Sequence, residues 1–522
     1  MRGTRSSVVD NELSTRSDAT ELPCRLGHRS IYGKLLTVVS SVAQRRATDP
    51  RYTDRSNAAT RRAATRRAAP RRRGGTGRGG PTMQAGDRPA QAGTATGVVP
   101  ESIDRKVVSA GLVGSIVEYY DFGIYGYLAT VLSVVFFAEG SDPTTALLAT
   151  FATFAAAFVL RPLGGLIFGH LGDRFGRSRI LAATILAMCA ATVLIGILPT
   201  YAAIGVGAAF LLVAARCVQG IASGGEVGGA AAYVAEKSPP ARRGFLCSTV
   251  QLGALSGALL ASVIVSIVSS VLTADQLADW GWRLPFLLSL PLGLVGLWIR
   301  FRLDDSVRED ELAEEGVASA PVVELFRAHL PGLLRTLGLS TLLFAGYYVV
   351  YVYASTHLQR TGGLDARAAF WSTTVTLVVS CLAMPFFGKL SDRVGRKPML
   401  LWAAVAFGVL AVPCFALMNA HSLPPAMLAQ VVLGLPESAL MGVVFATFAE
   451  MFPSRVRYTG IALGFNLASM AVGGTAPLIC LWLLRVTGNP LAPAWFLVAA
   501  AVVTVVTALT LTETRGTVLR TV

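Results

Sequence analysis

From about residue 107 onward the chain is a series of long apolar runs separated by short polar segments. Most runs have about 20 residues or more, the length that an α-helix needs to cross a hydrocarbon core of roughly 30 Å. Twelve runs can be placed, at residues 107–137, 144–170, 179–199, 202–236, 244–272, 283–301, 333–358, 367–390, 398–419, 423–451, 458–485 and 491–511. The pattern predicts an all-α membrane protein with 12 transmembrane helices.

Two loop patterns occur twice in the chain at nearly the same separation. The residues after the second run read GHLGDRFGRSR, and those after the eighth run, 219 positions later, read GKLSDRVGRKP. Glu236 and Arg243 are matched 214 positions later by Glu450 and Arg457. A repeated six-helix unit explains both matches. We therefore predict two pseudo-symmetric six-helix halves with a substrate site at their interface, near the middle of the membrane.

These patterns divide the chain into five parts. The parts are a basic N-terminal tail (1–104), an N-terminal six-helix half (105–301), a charged linker (302–332), a C-terminal six-helix half (333–512) and a short tail (513–522). The first part has no long apolar periodicity, so we expect it to be disordered. It is either a membrane-surface or regulatory tail or a translated upstream region, for which Met83 would be the natural start.

Charge is scarce in the apolar part of the chain and concentrated in the tail. Only 15% of the residues are charged and 53% are hydrophobic, with a mean hydropathy of +0.56. Residues 1–100 contain 19 Lys and Arg against 7 Asp and Glu, which is 12 of the 15 net positive charges. This distribution argues against a nucleic-acid partner. The seven cysteines are not paired at metal-ligand spacing, so no disulfide, metal site or cofactor is predicted.

Positive charge also sets the expected orientation. Lys and Arg are concentrated in the short loops after the second, fourth, eighth and tenth runs, whereas the first and fifth loops carry acidic residues. The positive-inside rule places the basic loops in the cytoplasm. The sequence thus predicts a multi-pass protein of the cell membrane with both termini in the cytoplasm.

The duplicated loops also indicate a gate. An acidic residue between basic ones, at the start of a helix, can interact with that helix's N-terminal dipole and with a neighbouring arginine. Such a cluster can latch two helices and release them when they part, and the alternative is a plain basic loop. The duplication favours the latch. The candidate gating residues are Asp173, Arg174, Arg177, Asp392, Arg393 and Arg396.

The loop pattern G-x-x-x-D-R-x-G-R resembles the signature of the major facilitator superfamily. More specific segments resemble its metabolite:proton symporter family. These are EYYDF at 118–122, RPLGG at 161–165, RCVQG at 216–220, SGGE at 223–226, WGWRLPF at 280–286 and FPSRVRY at 452–458. Residues 120–126, 347–348 and 465–466 are most similar to those of proline/betaine carriers. Related members carry shikimate, citrate or 2-oxoglutarate.

Ionisable side chains inside apolar runs are costly and mark functional sites by default. Asp121, Glu118 and Glu226 are the candidate proton carriers, and the first two share a helix face because they are three residues apart. Arg161 and Arg216 are candidates to hold a substrate carboxylate by charge-assisted hydrogen bonds. Internal salt bridges that only stabilise the bundle are the alternative, and the resemblance leaves Arg216 open to a role in proton coupling.

Five further residues complete the predicted substrate site. The motifs that carry the resemblance contain Tyr120, Gln219 and Asn466. Tyr347 and Tyr348 could hold a quaternary ammonium against their rings by cation–π attraction, if they face inward. Tyrosines at a membrane interface without any ligand are the alternative.

Together these features predict a proton-coupled symporter that works by alternating access. It would take up a small metabolite or osmolyte such as proline or glycine betaine across the lipid bilayer. One alternative is a proton symporter for an organic anion of the shikimate, 2-oxoglutarate or citrate type. The other is a membrane sensor that does not transport. The chain shows no catalytic constellation of residues, so we do not expect an enzyme.

Overall fold

The computed structural model describes residues 105–137, 142–175, 177–224, 229–303 and 321–519, and every regular element in these ranges is a helix. The predicted tail of residues 1–104 and most of the predicted linker lie outside these ranges.

Twelve main helices, several of them divided into segments, follow one another along the described chain. Those of the N-terminal half are α1 (Arg105–Tyr127 and Ala129–Phe137), α2 (Pro143–Val159 and Arg161–Phe175), α3 (Arg177–Ile197), α4 (Val206–Ser223 and Gly229–Lys237), α5 (Arg243–Val271) and α6 (Arg283–Leu287 and Ser289–Leu303). Those of the C-terminal half are α7 (Leu330–Gly346, Tyr347–Tyr353 and Ala354–Arg360), α8 (Ala366–Val394), α9 (Arg396–Met418), α10 (Leu423–Met451), α11 (Ser454–Ala468, Ser469–Gly473 and Ala476–Thr487) and α12 (Ala492–Leu509).

These helices account for the predicted membrane spans. In the described residues, ten helices are long and apolar enough to cross a membrane. An eleventh span is α1, whose two parts, Gly114–Tyr127 and Ala129–Phe137, meet at an angle of 67°. The twelfth is α3, whose apolar part, Ala182–Ile197, is shorter than the others. The all-α membrane architecture predicted from the sequence is confirmed.

Shorter helices lie between the spans. One of them, Pro321–Ala328, falls inside the predicted charged linker, and α7 begins two residues later at Leu330. Glu324 is in the first turn of this short helix and Arg327 in the last, so both charges suit the helix dipole. The C-terminal half therefore begins with helical structure earlier than the apolar pattern predicted.

Two helices of the C-terminal half widen into π-helical turns. The turn in α7 is Tyr347–Tyr353 and the turn in α11 is Ser469–Gly473. A π-helical turn inserts an extra residue into the helical hydrogen-bond pattern and is frequent at functional sites. Both turns face the N-terminal half, because Tyr347 and Ser469 contact residues of α1 and α2.

The two halves pack together along α5 and α8. Ser262 and Ser266 of α5 both contact Thr374 of α8, with oxygen–oxygen distances of 2.7 and 2.9 Å. Hydroxyl hydrogen bonds of this kind join helices in a bilayer, where apolar side chains give little drive for helix association. The interface is thus held by short polar contacts in mid-helix as well as by packing.

Within the N-terminal half, α2 and α4 approach each other closely at glycines. A Cβ atom at Gly220 would lie 2.0 Å from the carbonyl oxygen of Ala157, and one at Gly224 would lie 1.9 Å from that of Arg161. A side chain at either position would force the two backbones apart. This approach brings Arg161 of α2 close to Arg216 of α4.

Candidate functional site

An ion pair lies at the centre of the N-terminal half and reaches the other half. The Arg161 guanidinium donates to the Glu118 carboxylate through one Nη atom. Through the other it donates to Ser469 Oγ, at 3.3 Å, in the π-helical turn of α11. Both members of the pair are at most 2% exposed. The structure therefore brings together two of the predicted site residues and links them to the C-terminal half.

The second predicted arginine has a different set of partners. Arg216 Nη1 donates to Gln219 Oε1 at 2.8 Å, and Gln219 Nε2 donates to Thr192 Oγ1 of α3 at 2.6 Å. Arg216 is fully buried, and among the described residues its Nε and Nη2 atoms have no hydrogen-bond partner. Two donors of a buried guanidinium thus remain available to an anionic group.

Aromatic rings surround both guanidinium groups. The Arg216 Cζ atom lies 4.2 Å from the ring centroid of Tyr125 and 4.9 Å from that of Phe122. The Arg161 Cζ atom lies 4.7 Å from the same Phe122 ring and 4.6 Å from that of Phe158. Cation–π attraction of this kind is strongest where the cation is desolvated, as it is here. The Phe122 ring is shared by the two arginines and helps to place both positive charges in one site.

The predicted carboxylate and tyrosine of α1 face α6. Asp121 Oδ1 accepts from Ser289 Oγ at 2.8 Å, whereas Oδ2 is buried with no hydrogen-bond partner among the described residues. The Tyr120 hydroxyl donates to the carbonyl oxygen of Pro285 at 2.7 Å. In this conformation the Tyr120 hydroxyl is therefore engaged by the backbone of α6, while Asp121 retains one free acceptor.

The predicted residues of the C-terminal half form the opposite wall. The Tyr347 ring lies 5.5 Å from that of Tyr119 in α1, and the Tyr348 ring lies 5.3 Å from that of Phe158 in α2. Both tyrosines are buried and face the N-terminal half, which is the condition that the cation–π hypothesis requires. In α11, the buried Oδ1 atom of Asn466 has no hydrogen-bond partner in the described part of the chain.

A network of charges joins the two halves at the end where α4, α8 and α10 finish, here called the basic end. Arg243 Nη1 donates to Glu450 Oε1 at 2.9 Å, and Arg457 Nη1 donates to Glu236 Oε1 at 2.5 Å. The Nε atoms of these arginines donate to Ala235 O and Ala449 O, at 3.1 and 2.9 Å. Since all three residue types recur 214 positions apart, the two pairs are related by the internal repeat.

The second duplicated loop adds to this network. Asp392 accepts from the backbone N–H groups of Gly244 and Phe245 in the first turn of α5, at 2.8 and 2.9 Å. Arg396 donates to Asp392 at 2.9 Å and to both Glu450 carboxylate oxygens at 3.3 Å. Arg393 is exposed. A carboxylate at a helix N-terminus is stabilised by the dipole, so Asp392 ties the C-terminal half to α5.

The structure does not describe the side chains of four other predicted residues. Glu226 lies outside the described residues. Asp173, Arg174 and Arg177 belong to helices whose backbone is described, but their side chains are not. The first copy of the duplicated loop and the third proton-carrier candidate therefore stay predictions.

The conformation is closed at both ends. At the end opposite the basic end, Thr130 of α1 donates to Gln359 of α7 at 3.1 Å, and Arg485 of α11 donates to Thr145 of α2 at 3.0 Å. The predicted site residues between the two ends are at most 8% exposed. The structure therefore represents an occluded conformation.

Sequence reasoning missed several residues of the site. Thr192, Ser289 and Ser469 each contact a predicted site residue through a hydroxyl group. Short hydroxyl side chains carry little signal in an apolar run. Ser469 is the exception, because it lies three residues after the predicted Asn466 and so shares its helix face.

The arrangement has the chemistry to bind a small molecule that carries both charges. Two buried arginines offer free N–H donors for a carboxylate, and tyrosine rings line the opposite wall for a cation. Buried polar atoms normally have hydrogen-bond partners, so the unpartnered atoms of Arg216, Asp121 and Asn466 require an explanation. A polar ligand between the halves would supply their partners.

Comparison with protein-family models gives two matches. The model described as "Sugar (and other) transporter" matches residues 107–319, and the model described as "Major Facilitator Superfamily" matches residues 336–520. Each match covers one six-helix half.

Curated relatives are similar over most of their length. The "Proline/betaine transporter" of Escherichia coli K12 is 36% identical over 422 residues, which cover 79% of this chain and 84% of that protein. The "Glycine betaine/proline/ectoine/pipecolic acid transporter OusA" of Dickeya dadantii is 36% identical with the same coverage. A "Putative proline/betaine transporter" of Staphylococcus aureus is 35% identical, over 76% of this chain and 86% of that protein.

Solved structures share the fold at low sequence identity. A D-xylose-proton symporter superposes with a TM-score of 0.64 at 21% identity, covering 80% of this chain and all of that one. The partially occluded, inward-open xylose transporter XylE of Escherichia coli superposes with a TM-score of 0.60 at 19% identity, covering 79% of this chain and 99% of that one.

Proposed function

This chain belongs to the major facilitator superfamily, and we propose that it takes up a small zwitterionic osmolyte, such as proline or glycine betaine, together with protons. The observation that carries the proposal is the pair of buried arginines facing buried tyrosines across the interface of the halves. Relatives named as proline/betaine transporters support the substrate class. Transport rather than catalysis is the activity of this protein.

Each part of the substrate has a proposed partner. The carboxylate binds the free Nε and Nη2 donors of Arg216, with Gln219 holding the guanidinium in place. A guanidinium presents its donors in a planar fork that matches a carboxylate. The cationic nitrogen lies against Tyr347 and Tyr348, whose rings offer cation–π attraction at a desolvated site.

Proton coupling rests on the carboxylates of α1. Asp121 and Glu118 are buried in the occluded conformation. There, the stability of an ionised carboxylate depends on the few groups that contact it. When one end opens, water reaches the site and α11 moves away with Ser469, which changes the stability of each protonation state. Asp121 is the favoured carrier, because Glu118 is already committed to Arg161.

We propose the orientation that the basic loops indicate. The basic end, with its crossing ion pairs, faces the cytoplasm, and so do both termini. Release of these pairs opens the site to the cytoplasm, and release of the Thr130–Gln359 and Arg485–Thr145 contacts opens it to the outside.

A second candidate function is the symport of an organic anion. Two arginines around one aromatic ring would suit a dicarboxylate, and this observation favours the alternative. The tyrosine wall favours the zwitterion, since an anion gains nothing from the negative face of a ring.

Uptake of labelled solutes into proteoliposomes that contain the full chain tests the proposal. Proline, glycine betaine, shikimate and 2-oxoglutarate are compared with and without an inward proton gradient. We expect proline or betaine to accumulate only with the gradient. Asp121→Asn should abolish this accumulation, while Asp275→Asn, a change at an exposed position, should not. Gradient-driven accumulation of an organic anion alone would establish the second function. No accumulation of any solute would reject both.

A further inference from the structure

A buried carboxyl group in the C-terminal half has no role in the proposed site. Glu437 lies at the midpoint of α10, 14 residues from each end of the helix. It is fully buried, and neither of its carboxylate oxygens has a hydrogen-bond partner among the described residues. An acidic side chain in mid-membrane without partners is costly and marks a functional site by default.

The carboxyl of Glu437 packs against a glycine of α7. A Cβ atom at Gly346 would lie 2.1 Å from Glu437 Oε2 and 3.0 Å from the ring of Phe407 in α9. The carboxyl group therefore fills the space that a side chain at position 346 would occupy. Only glycine at this position lets α7 and the Glu437 side chain lie so close together.

The sequence after this glycine resembles the sequence after Glu118 in the N-terminal half. Tyr119-Tyr120 in α1 matches Tyr347-Tyr348 in α7, and both pairs are followed five residues later by a tyrosine, Tyr125 or Tyr353. The residue before each pair is Glu118 in α1 and Gly346 in α7. Each half thus has a buried carboxyl group beside its tyrosine pair. In the N-terminal half it comes from α1 and pairs with an arginine. In the C-terminal half it comes from α10 and, among the described residues, pairs with no cation.

The titratable groups close to Glu437 are weak acids. Tyr351 of α7 donates its hydroxyl to Ser380 of α8 at 2.8 Å and contacts Gly434 O of α10 at 3.2 Å. The thiol of Cys381 follows Ser380 in α8. No charged side chain among the described residues hydrogen-bonds to Glu437.

Of α4, the segment Gly229–Lys237 packs against α10. Charged residues of this segment and of the other helices around α10 lie toward the helix ends, whereas Arg216 belongs to the other segment of α4. Toward the basic end they are Glu236 and Lys237 of α4, Arg243 of α5, Arg335 of α7, Lys389, Asp392 and Arg393 of α8, Arg396 and Lys397 of α9, and Arg455 and Arg457 of α11. Toward the other end they are His357 and Arg360 of α7, Arg367 of α8 and Arg485 of α11. In α9, Phe407 is 11 residues from Arg396, or about 16 Å along the helix.

We propose that Glu437 is a proton-binding site of the C-terminal half, which holds its proton in the occluded conformation and releases it when α7 and α10 part. Burying an ionised carboxylate without a partner is strongly unfavourable, so the neutral acid is the form that this environment accepts. On release, the carboxyl O–H bond breaks and the proton passes to water at the open side. The proposal rests on the proposed proton symport.

The helices around Glu437 are weakened where they would have to move. Pro436 directly precedes Glu437 inside α10, and a proline there removes one backbone hydrogen bond and favours a kink. The π-helical turn of α7 begins at Tyr347, directly after Gly346. Both helices can therefore bend beside the carboxyl group and admit water to it.

Infrared spectroscopy of the purified full chain in lipid tests whether Glu437 holds a proton. At neutral pH we expect a carbonyl band of a protonated carboxyl group that Glu437→Gln removes and Asp275→Asn leaves unchanged. Glu437→Leu, which also has no titrating proton, gives the same readout if the glutamine variant does not fold. A spectrum in which neither variant removes a band overturns the proposal.

Transport measurements test whether that proton is coupled. In a gradient of about one pH unit, each coupled proton multiplies the accumulation ratio about tenfold. We expect Glu437→Gln to lower the ratio by about this factor, while exchange of substrate without a gradient continues. If Glu437→Gln accumulates substrate to the same ratio as the wild-type protein, Glu437 is not a coupling site. If the wild-type protein accumulates no substrate, the proposed function fails, and the infrared result still decides whether Glu437 binds a proton.

Discussion

At the scale of single residues, the two buried arginines differ in how many of their donors are engaged. Among the described residues, Arg161 donates to Glu118 and to Ser469 and retains one free donor atom, Nε. Arg216 donates to the neutral Gln219 and retains two free donor atoms. The first arrangement is a closed ion pair that bridges the halves. The second is a preorganised anion site, and this difference is why we assign the substrate carboxylate to Arg216.

Replacing Glu118 and replacing Arg161 should change the stability of the protein in different ways. Removing one member of a buried ion pair costs about 3–5 kcal/mol, because the other charge is left without compensation. A glutamate left alone can bind a proton, but an arginine cannot lose one. We expect Glu118→Gln to lower the unfolding temperature at every pH. Arg161→Met should lower it at alkaline pH and progressively less as the pH falls.

Thermal unfolding of both variants across a pH series in detergent measures this difference. Asp275→Asn serves as the control, since it removes an exposed carboxylate. Equal losses for the two variants at all pH values would show that the pair does not behave as a buried ion pair.

The charged residues of the site stood out in the sequence, whereas its short hydroxyl side chains did not. Glu118, Asp121, Arg161 and Arg216 stand out because a charged side chain in an apolar run is rare, and the structure places all four in one region. Ser289 and Thr192 complete that region, but hydroxyl side chains are common in membrane helices and give no such contrast. The Tyr120 hydroxyl could not be placed, because its partner is a backbone carbonyl of α6.

At the scale of helices, the crossing of α2 and α4 sets the distance between the arginines. We predict that Gly224→Ala lowers stability by more than about 1–3 kcal/mol, the usual cost of overpacking. The reason is that its Cβ would lie 1.9 Å from the carbonyl oxygen of Arg161, on a backbone that cannot rotate away. Gly207→Ala is the control, since its nearest neighbour is a side-chain atom 3.5 Å away. Thermal unfolding and substrate affinity of both variants check this, and equal behaviour would contradict it.

The N-terminus of α9 is capped by a carboxylate from beyond α12. Glu513 accepts from the backbone N–H groups of Arg396, Lys397 and Arg515, at 2.8, 3.1 and 2.8 Å. Burial raises the pKa of Glu513, but these hydrogen bonds outweigh it and hold the pKa below its usual value of 4.5. The segment after the last helix is therefore attached to the start of α9.

This cap predicts a pH-dependent contribution to stability. Because the folded-state pKa is lowered, the contribution is complete above the unfolded pKa and is lost as the pH falls through the folded value. We expect Glu513→Gln to cost about 0.5 kcal/mol at neutral pH, the size typical of an exposed charge at a helix end. Unfolding temperatures of the variant and the wild type should differ at neutral pH and converge in acid. A constant difference at all pH values would exclude the cap.

Helix position was more predictable than helix shape. The twelve apolar runs give the spans, because their length is set by the thickness of the membrane. The π-helical turns at Tyr347–Tyr353 and Ser469–Gly473 were not predicted, because the surrounding residues are apolar in any hydrogen-bond register. Pro436 was visible in the sequence, but its consequence depends on the packing of Glu437 against Gly346.

At the scale of the whole molecule, the halves are held at the basic end by two ion pairs that cross between them. Glu450 is the centre of this network, because it accepts from Arg243, Arg396 and Thr514. We predict that Glu450→Gln raises the population open at the basic end about tenfold, corresponding to the loss of about 1.4 kcal/mol from the closed state. Cys247 is buried beside this network and can report the opening.

The rate of Cys247 modification by a polar thiol reagent measures this prediction, in a variant whose other cysteines are replaced. Glu236→Gln should act in the same direction, because Glu236 holds the symmetry-related pair. Asp365→Asn should have no effect, because Asp365 lies at the start of α8, the end of that helix away from the basic end. Unchanged modification in both network variants would mean that packing alone keeps this end closed.

The crossing of these pairs also bears on the ancestry of the molecule. Each half contributes one glutamate and one arginine, so each half contains both residue types that a crossing ion pair needs. Two copies of a single half, related by a two-fold axis, would form both bonds without any change of sequence. A half-length ancestor could therefore have closed as a homodimer before its gene was duplicated and fused. Residues such as Glu437, for which the residue 214 positions earlier is Ser223, would then record what each copy acquired after the fusion.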